Sequence, residues 1–545
     1  MDRVTKGNLI LAFFAVFIGV VGVRLQEFIL ITLALLVSAF LVIQRSKSGV
    51  FPATITLLFL FPEASFGNLY GFDTHSPVII AREVLNNGWP VSGIELSWGY
   101  VGTPLMHIHT AVASVLLNLP IVPTSGSKLL ISAFLPIIYA ASTFLFIFVL
   151  ARRYTSTKVA SIVPVLCWVA FYTWKVPFSR QALGIFFFVA SVLCVHRLLD
   201  SPNRRNIVLF SLVTTSLILT HHLSSAIFGV YLGIVVLSGF ITSRPDISAR
   251  FRVPTILYVL IFILWFVLSG FQDEFVLIGA SVLRGMTVST SSIFPAWLTQ
   301  HGISYSQTFS IKKIYAIWAY QIVLATPILA IALLQFRKRE LNPRTTIALL
   351  FGGVIASLSV IASLTPTLDV PRLMTFFVVA AGWYAISAWG DVGDIVNYIS
   401  AKQVVTVAVV SCIVLGAVMI PLFEVSSSQP NYYDGQKDEK LGDDALKMTS
   451  WVGSFVSEPI YGDALVQEIV IPFTQQPVES GFENLVQEQP EGTVVLAERN
   501  NYVYFGHYEG STVIIDSSPV MNKTHTMSKP YTNGGYDIYQ NTTPN

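Results

Sequence analysis

Charge is what this sequence has least of. Only 12% of its 545 residues are Asp, Glu, Lys or Arg, about half the share of an ordinary soluble domain. A chain this long with so little charge is excluded as a soluble enzyme, a disordered protein or a nucleic-acid binder. Cysteine is scarce too. The three present, Cys167, Cys194 and Cys412, all lie in apolar runs, which excludes a disulfide framework and any Cys/His spacing for zinc. There is no internal repeat. There is also no matched pair of Gly/Pro-broken helices of the kind transporters carry.

What is present is apolar surface: 53% hydrophobic residues and a mean hydropathy of +0.65. The chain reads as an all-α polytopic membrane protein with a small α/β domain at its C-terminal end. Its net charge of +2 hides a division. Residues 422–545 hold 17 acidic and 6 basic side chains; the totals of 31 and 33 then leave 14 acidic and 27 basic in 1–421. A basic membrane body thus precedes an acidic, water-facing tail.

Apolar runs predict helices near 9–23, 28–43, 50–62, 129–150, 159–174, 181–196, 207–220, 223–240, 253–270, 314–335, 345–363, 372–389 and 403–421. Several must extend into their flanks to reach the roughly 20 residues a bilayer needs. The run 105–120 is short and contains His107 and His109. If it spanned, the loops bearing Arg152, Arg153, Arg204, Arg205, Arg337, Lys338 and Arg339 would fall outside; short basic loops belong inside. The reading is therefore about 13 spans, N-terminus cytoplasmic and C-terminus external, with 105–120 an interfacial helix. The first apolar run reads as a retained anchor, because no small-residue cleavage site precedes Arg24. Three parts follow: an N-terminal helix pair over 1–49, a transmembrane body over 50–421 with a first external loop at 63–128, and an external domain over 422–545.

In that domain the pattern predicts a helix at 443–456, an extended run at 459–461, a helix at 464–471, and strands at 492–497, 502–506 and 512–515. Two sequons, at Asn522 and Asn541, are glycan-acceptor patterns.

The most informative stretch runs from Gly71 to Trp89, GFDTHSPVIIAREVLNNGW. Asp73 and His75 come first, then Ala81-Arg82-Glu83, then a Gly-Trp stop. On a helix from Ser76, Arg82 and Glu83 share neighbouring faces, and Asp73 or Ser76 can cap it. Spacing alone reads Asp73 as that cap and Arg82–Glu83 as a solvated face. Elsewhere His221 and His222 sit in a turn between two apolar runs, where ionisable groups are costly. Read blandly, the pair is an interfacial turn with hydrated imidazoles. Lys175, Arg180, Arg284, Lys312, Lys313 and Arg372 are cations on the face where the positive-inside pattern leaves few. Each can snorkel to headgroups, and together they suit a lipid phosphate. Arg372 follows Pro371, which suits a helix's first turn.

A carboxylate opening the first long external loop, an ARE turn and a Gly-Trp resemble the GT-C superfamily of integral membrane glycosyltransferases, of the protein O-mannosyltransferase and aminoarabinose transferase type. The order of parts is similar too: motif, interfacial helix, further spans, external tail. The resemblance covers the layout of 50–545 and is motif-level only in 63–128; where those families place a second acid, this chain has Asp73-Thr-His75. It implies a sugar moved from a polyprenyl-phosphate-type donor to a glycan, lipid or protein acceptor on the external face. It also implies Asp73 as general base on the acceptor, or as partner of a divalent metal (Mg or Mn) with His75, and Glu83, Glu63 and Glu95 as reserve acids. Arg82, His221, His222, Arg180, Arg372 and Lys312 are then the expected substrate-binding set. A surface-polysaccharide polymerase, ligase or flippase would share the external cations without needing the carboxylate. A transporter would carry charges in mid-span, and here they fall at span ends.

Overall fold

The computed structural model describes residues 75–88, 102–121, 131–155, 180–269, 342–363, 370–382, 443–463, 492–497, 503–508, 511–516, 518–533 and 535–540, with positions 160, 163, 322, 328, 329, 332, 333, 335–337, 384, 466, 470, 474, 476, 478 and 479. The expectations for 1–74, for the spans at 50–62 and 403–421, and for most of 159–174 and 314–335 lie outside them.

Nine helices run through the described part of the body. They are α1 (His75–Asn87), α2 (Pro104–Leu117), α3 (Ile131–Arg152), α4 (Arg180–Asp200), α5 (Arg204–Ile218), α6 (His222–Ile241), α7 (Pro245–Leu268), α8 (Pro343–Ser363) and α9 (Val370–Phe377). A π-helical turn, Val378–Gly382, continues α9. Phe134–Arg152, α4, α6 and α7 are long and apolar enough to cross a membrane. The expected span at 207–220 is the 15-residue α5, which is shorter than those four. Its polar start is set by Asn203, whose side chain accepts from the Asn206 N–H at 2.9 Å and so caps the helix. Proline does the same work for α2 and α7, which begin at Pro104 and Pro245; the missing N–H costs nothing at a helix's first position. α2 stops at Asn118, which takes a left-handed φ of 50° that asparagine tolerates.

Aromatic rings fill the centre of the bundle. Phe188 of α4 meets Phe376 of α9 edge-on with ring centres 5.0 Å apart, and Phe228 of α6 at 6.0 Å. Tyr231 stands edge-on to Phe351 of α8 at 5.3 Å. All are buried, and edge-to-face pairs of this kind add to the area they remove from solvent. By contrast α7 leaves Val253, Ile256, Leu257, Leu260, Ile261 and Leu264 exposed. An apolar face left uncovered by the described residues, on a helix of this length, is suited to lipid.

One end of the bundle is tied by polar groups. Asp200 takes Arg153 at 2.7 Å and Arg344 at 3.0 Å, and the Arg344 guanidinium lies 4.2 Å over the Tyr154 ring. The Tyr154 hydroxyl pairs with His196 Nδ1 at 3.0 Å, and His196 Nε2 with the Tyr231 hydroxyl at 3.1 Å. Satisfied on both nitrogens, the buried imidazole ties α4 to α6 and to the turn after α3, while Arg344 brings in α8 through Asp200 and Tyr154.

The tail holds α10 (Asp443–Phe455), strands β1 (Ile460–Gly462), β2 (Val478–Glu479), β3 (Thr493–Ala497), β4 (Val503–Tyr508) and β5 (Ser511–Asp516), α11 (Ser518–Thr524), and β6 (Ser528–Thr532) and β7 (Tyr536–Gln540). Five strands form a mixed sheet in the order β2-β1-β3-β7-β6, with β1 parallel to β2 and β3, and β7 antiparallel to both its neighbours. β4 and β5 form a separate hairpin. A second apolar cluster joins Val78 and Ala81 of α1, Met106 of α2 and Leu183 of α4 with Met448 and Val452 of α10 and Val495 of β3. The tail therefore packs at the end of the body where α4 begins.

Candidate functional site

Four chain segments meet at that end. The Leu105 N–H donates to the Leu219 carbonyl at 3.3 Å, which joins the start of α2 to the turn between α5 and α6. Arg180 Nη1 donates to the Thr103 hydroxyl at 3.1 Å, which joins the start of α4 to the same place. His107 Nδ1 lies 3.3 Å from the Pro77 carbonyl, which brings in the first turn of α1. Thr103, His107 and His221 are all buried.

His221 is more than a hydrated turn residue, contrary to the bland reading of the His221–His222 pair. Its Nδ1 lies 2.8 Å from the Ser224 hydroxyl and accepts from the Ser224 N–H at 3.3 Å, so the imidazole is the N-cap of α6. The chain can place it so tightly because Gly184 stands opposite: a Cβ there would sit 2.6 Å from the His221 Cβ. His222 opens α6, with its ring centre 5.1 Å from that of His221. The helix end adds the positive end of its macrodipole to this spot.

The residues expected from sequence divide three ways. Arg180 and His221 are brought together through Thr103 and the α2–turn contact, with His222 adjoining. Arg82 and Glu83 lie further along α1, five and six residues beyond Pro77 and so roughly 8–9 Å of helical rise away. They pair with each other at 3.7 Å, and Glu83 also accepts from Asn87 at 2.8 Å. Both side chains are partly buried, 35% and 19% exposed, so they are not the fully solvated face that spacing suggested. His75 is the first residue of α1, one position earlier than the expected start at Ser76, and Arg372 lies in the first turn of α9. Nothing is described of either side chain, and Asp73 and Lys312 lie outside the described residues. Among the described residues no group of three or more His, Cys, Asp or Glu side chains is close enough to hold a metal.

Three contributors were not legible beforehand. Thr103, Gln181 and Gly184 look like ordinary members of apolar segments. Their roles depend on which turn packs against them, and spacing along one helix does not carry that.

A histidine–tyrosine pair also involves α2. His109 Nδ1 is 2.7 Å from the Tyr139 hydroxyl, and the rings are 5.6 Å apart. His109 is an exposed residue of α2, and partial burial of its ring lowers its pKa below the ordinary 6.5.

No family model matches the sequence, and no curated protein matches it. Among solved structures, the crystal structure of ArnT from Cupriavidus metallidurans in the apo state is similar with a TM-score of 0.43 at 13% identity, covering 86% of this chain and 98% of that one. No residue role is carried across at that likeness.

Proposed function

We propose that this chain is an integral membrane glycosyltransferase of the GT-C type, moving a sugar from a polyprenyl-phosphate-type lipid to an acceptor on the external face. The observation that carries the reading is the junction itself: Arg180 on Thr103, beside a helix start capped by His221, where the motif helix α1 also begins. A guanidinium and a helix N-terminus converge where a long apolar bundle meets the tail, and both favour an anion. A phosphate on a lipid is the anion that such a boundary can reach.

The chemistry follows from that placement. An acceptor O–H or N–H attacks the anomeric carbon while the bond from that carbon to the lipid phosphate oxygen breaks. The phosphate departs with the bonding electron pair. Arg180 and the start of α6 stabilise the charge it gains, with Arg372 at the start of α9 and Lys312 as further partners. Asp73, two residues before α1, takes the acceptor's proton. General-base help of this kind is worth roughly 10²–10⁴-fold, and charge stabilisation by fixed donors adds to it. A divalent metal held by Asp73 and His75 would supply charge neutralisation at the same place.

Deletion of the gene tests the reading. A polyprenyl-linked sugar should accumulate in the membrane, identified by mass spectrometry as the sugar still joined to its lipid phosphate. Accumulation of a finished polysaccharide repeat unit would instead favour a polymerase, ligase or flippase.

A further inference from the structure

Gln181 is the odd residue of the junction. It is 5% exposed, and its Nε2 is fully buried with no hydrogen-bond partner among the described residues. Buried amides are nearly always paired, and one left unpaired costs stability, so an unpaired one calls for a reason.

Its place in the fold supplies one. Gln181 and Gly184 are three residues apart and share a face of α4. That face is the one Gly184 presses against His221, where an added Cβ would lie only 2.6 Å from the His221 Cβ. Side chains on a helix lean toward its N-terminus. Gln181 stands nearly one turn closer to the start of α4 than Gly184, next in sequence to Arg180, which is bonded to Thr103 at 3.1 Å. Along α4 Gln181 thus comes between Arg180, its neighbour in sequence, and Gly184, which faces the capped start of α6; a guanidinium and a helix N-terminus both favour a negative ligand. Thr103 and the His221 ring already use polar atoms on protein partners. Gln181 has a hydrogen-bonding group left for something else.

We propose that Gln181 is a binding residue of this site, donating from Nε2 to a phosphate oxygen of the lipid-linked donor. This rests on the function proposed above and adds a residue to it. No covalent bond is made or broken in this step; the unpaired amide N–H gains an anionic acceptor. A water molecule filling the same position is the bland alternative, and the two differ in what they predict.

The test uses the full chain in lipid nanodiscs, with undecaprenyl phosphate and undecaprenol as the two probes. Wild type should bind the phosphate more tightly than the alcohol. Gln181→Met, unbranched and without an amide, should lose about tenfold to a hundredfold of affinity for the phosphate and none for the alcohol. Its midpoint of thermal unfolding without ligand should equal or exceed that of wild type, since an unpaired buried amide is gone. Gln181→Glu keeps the shape but repels an anion, and should lose more phosphate affinity than the Met variant; it decides the matter should the Met variant not fold. Equal binding of both probes by wild type would overturn the proposed function itself. Discrimination by wild type that survives in both variants would overturn only the role of Gln181 and leave a trapped water as the explanation.

Discussion

Replacing Gly184 with alanine probes the junction most sharply. The added methyl would lie 2.6 Å from the His221 Cβ, 3.1 Å from its Cγ and 2.9 Å from the Ser224 Oγ. Carbon pairs sit comfortably at about 3.5–4.0 Å, so the two surfaces must separate by roughly 1 Å. His221 cannot simply swing aside, because its ring caps α6 and is held to Ser224 at 2.8 Å. The turn has to move as a unit. Overpacking of this kind costs about 1–3 kcal/mol, and loss of the cap adds about 1 kcal/mol. Alanine also helps a helix by about 1 kcal/mol relative to glycine, and a control on α6 cancels that gain. At Gly233 nothing lies within 4 Å of an added Cβ, so Gly233→Ala should keep or raise stability. The difference between the two variants should therefore be about 2–4 kcal/mol, read as denaturation midpoints in detergent. Transfer by Gly184→Ala should fall about a hundredfold, since a 1 Å displacement at a reacting centre costs that much. Equal midpoints and equal activities for the two variants would refute the packing of α4 on the His221 turn.

Three further outcomes are expected. His221→Asn should hold stability, because asparagine is a strong N-cap, and should still lose transfer if the imidazole meets the donor; His221→Ala should lose about 1 kcal/mol as well. Asp73→Asn should express normally and abolish transfer, whereas an aspartate that only caps α1 would tolerate the change. The lowered pKa of His109 has a sign that can be checked. Folding favours its neutral form, so the unfolded chain binds more protons below the ordinary pKa of 6.5, and stability should fall as pH drops from about 6.5. In His109→Gln that part of the acid sensitivity should vanish, seen as a flatter plot of unfolding midpoint against pH between 5 and 7.

The body was legible where apolar length and punctuation agreed. Runs at 181–196 and 223–240 became Arg180–Asp200 and His222–Ile241, and 105–120 became Pro104–Leu117, trimmed by a proline and a left-handed asparagine. The tail strand at 492–497 was equally plain, because Thr493–Ala497 is buried along its whole length. β6 and β7 were missed. In β7 only Tyr536 and Ile538 turn inward, and two apolar positions in a stretch rich in Asn, Thr and Tyr do not announce a strand. The helix at 372–389 was read as regular, and α9 instead passes into a π-helical turn at Val378, a change of hydrogen-bond pitch without a residue signature. At the site, charge at an unexpected level of the bundle pointed to Arg180 and His221. The glycine that admits His221 and the glutamine beside it carry no charge, and only the packing of α4 on a turn 35 or more residues away gives them meaning.

The central claim is that the Arg180–His221 junction handles a lipid-linked sugar. Its most direct test is the amount of polyprenyl-linked sugar in the deletion strain re-supplied with wild type or with Arg180→Ala at equal expression. Wild type should return the pool to its normal level, and Arg180→Ala should leave it raised. A pool unchanged by deletion, or restored as well by Arg180→Ala as by wild type, would contradict the account.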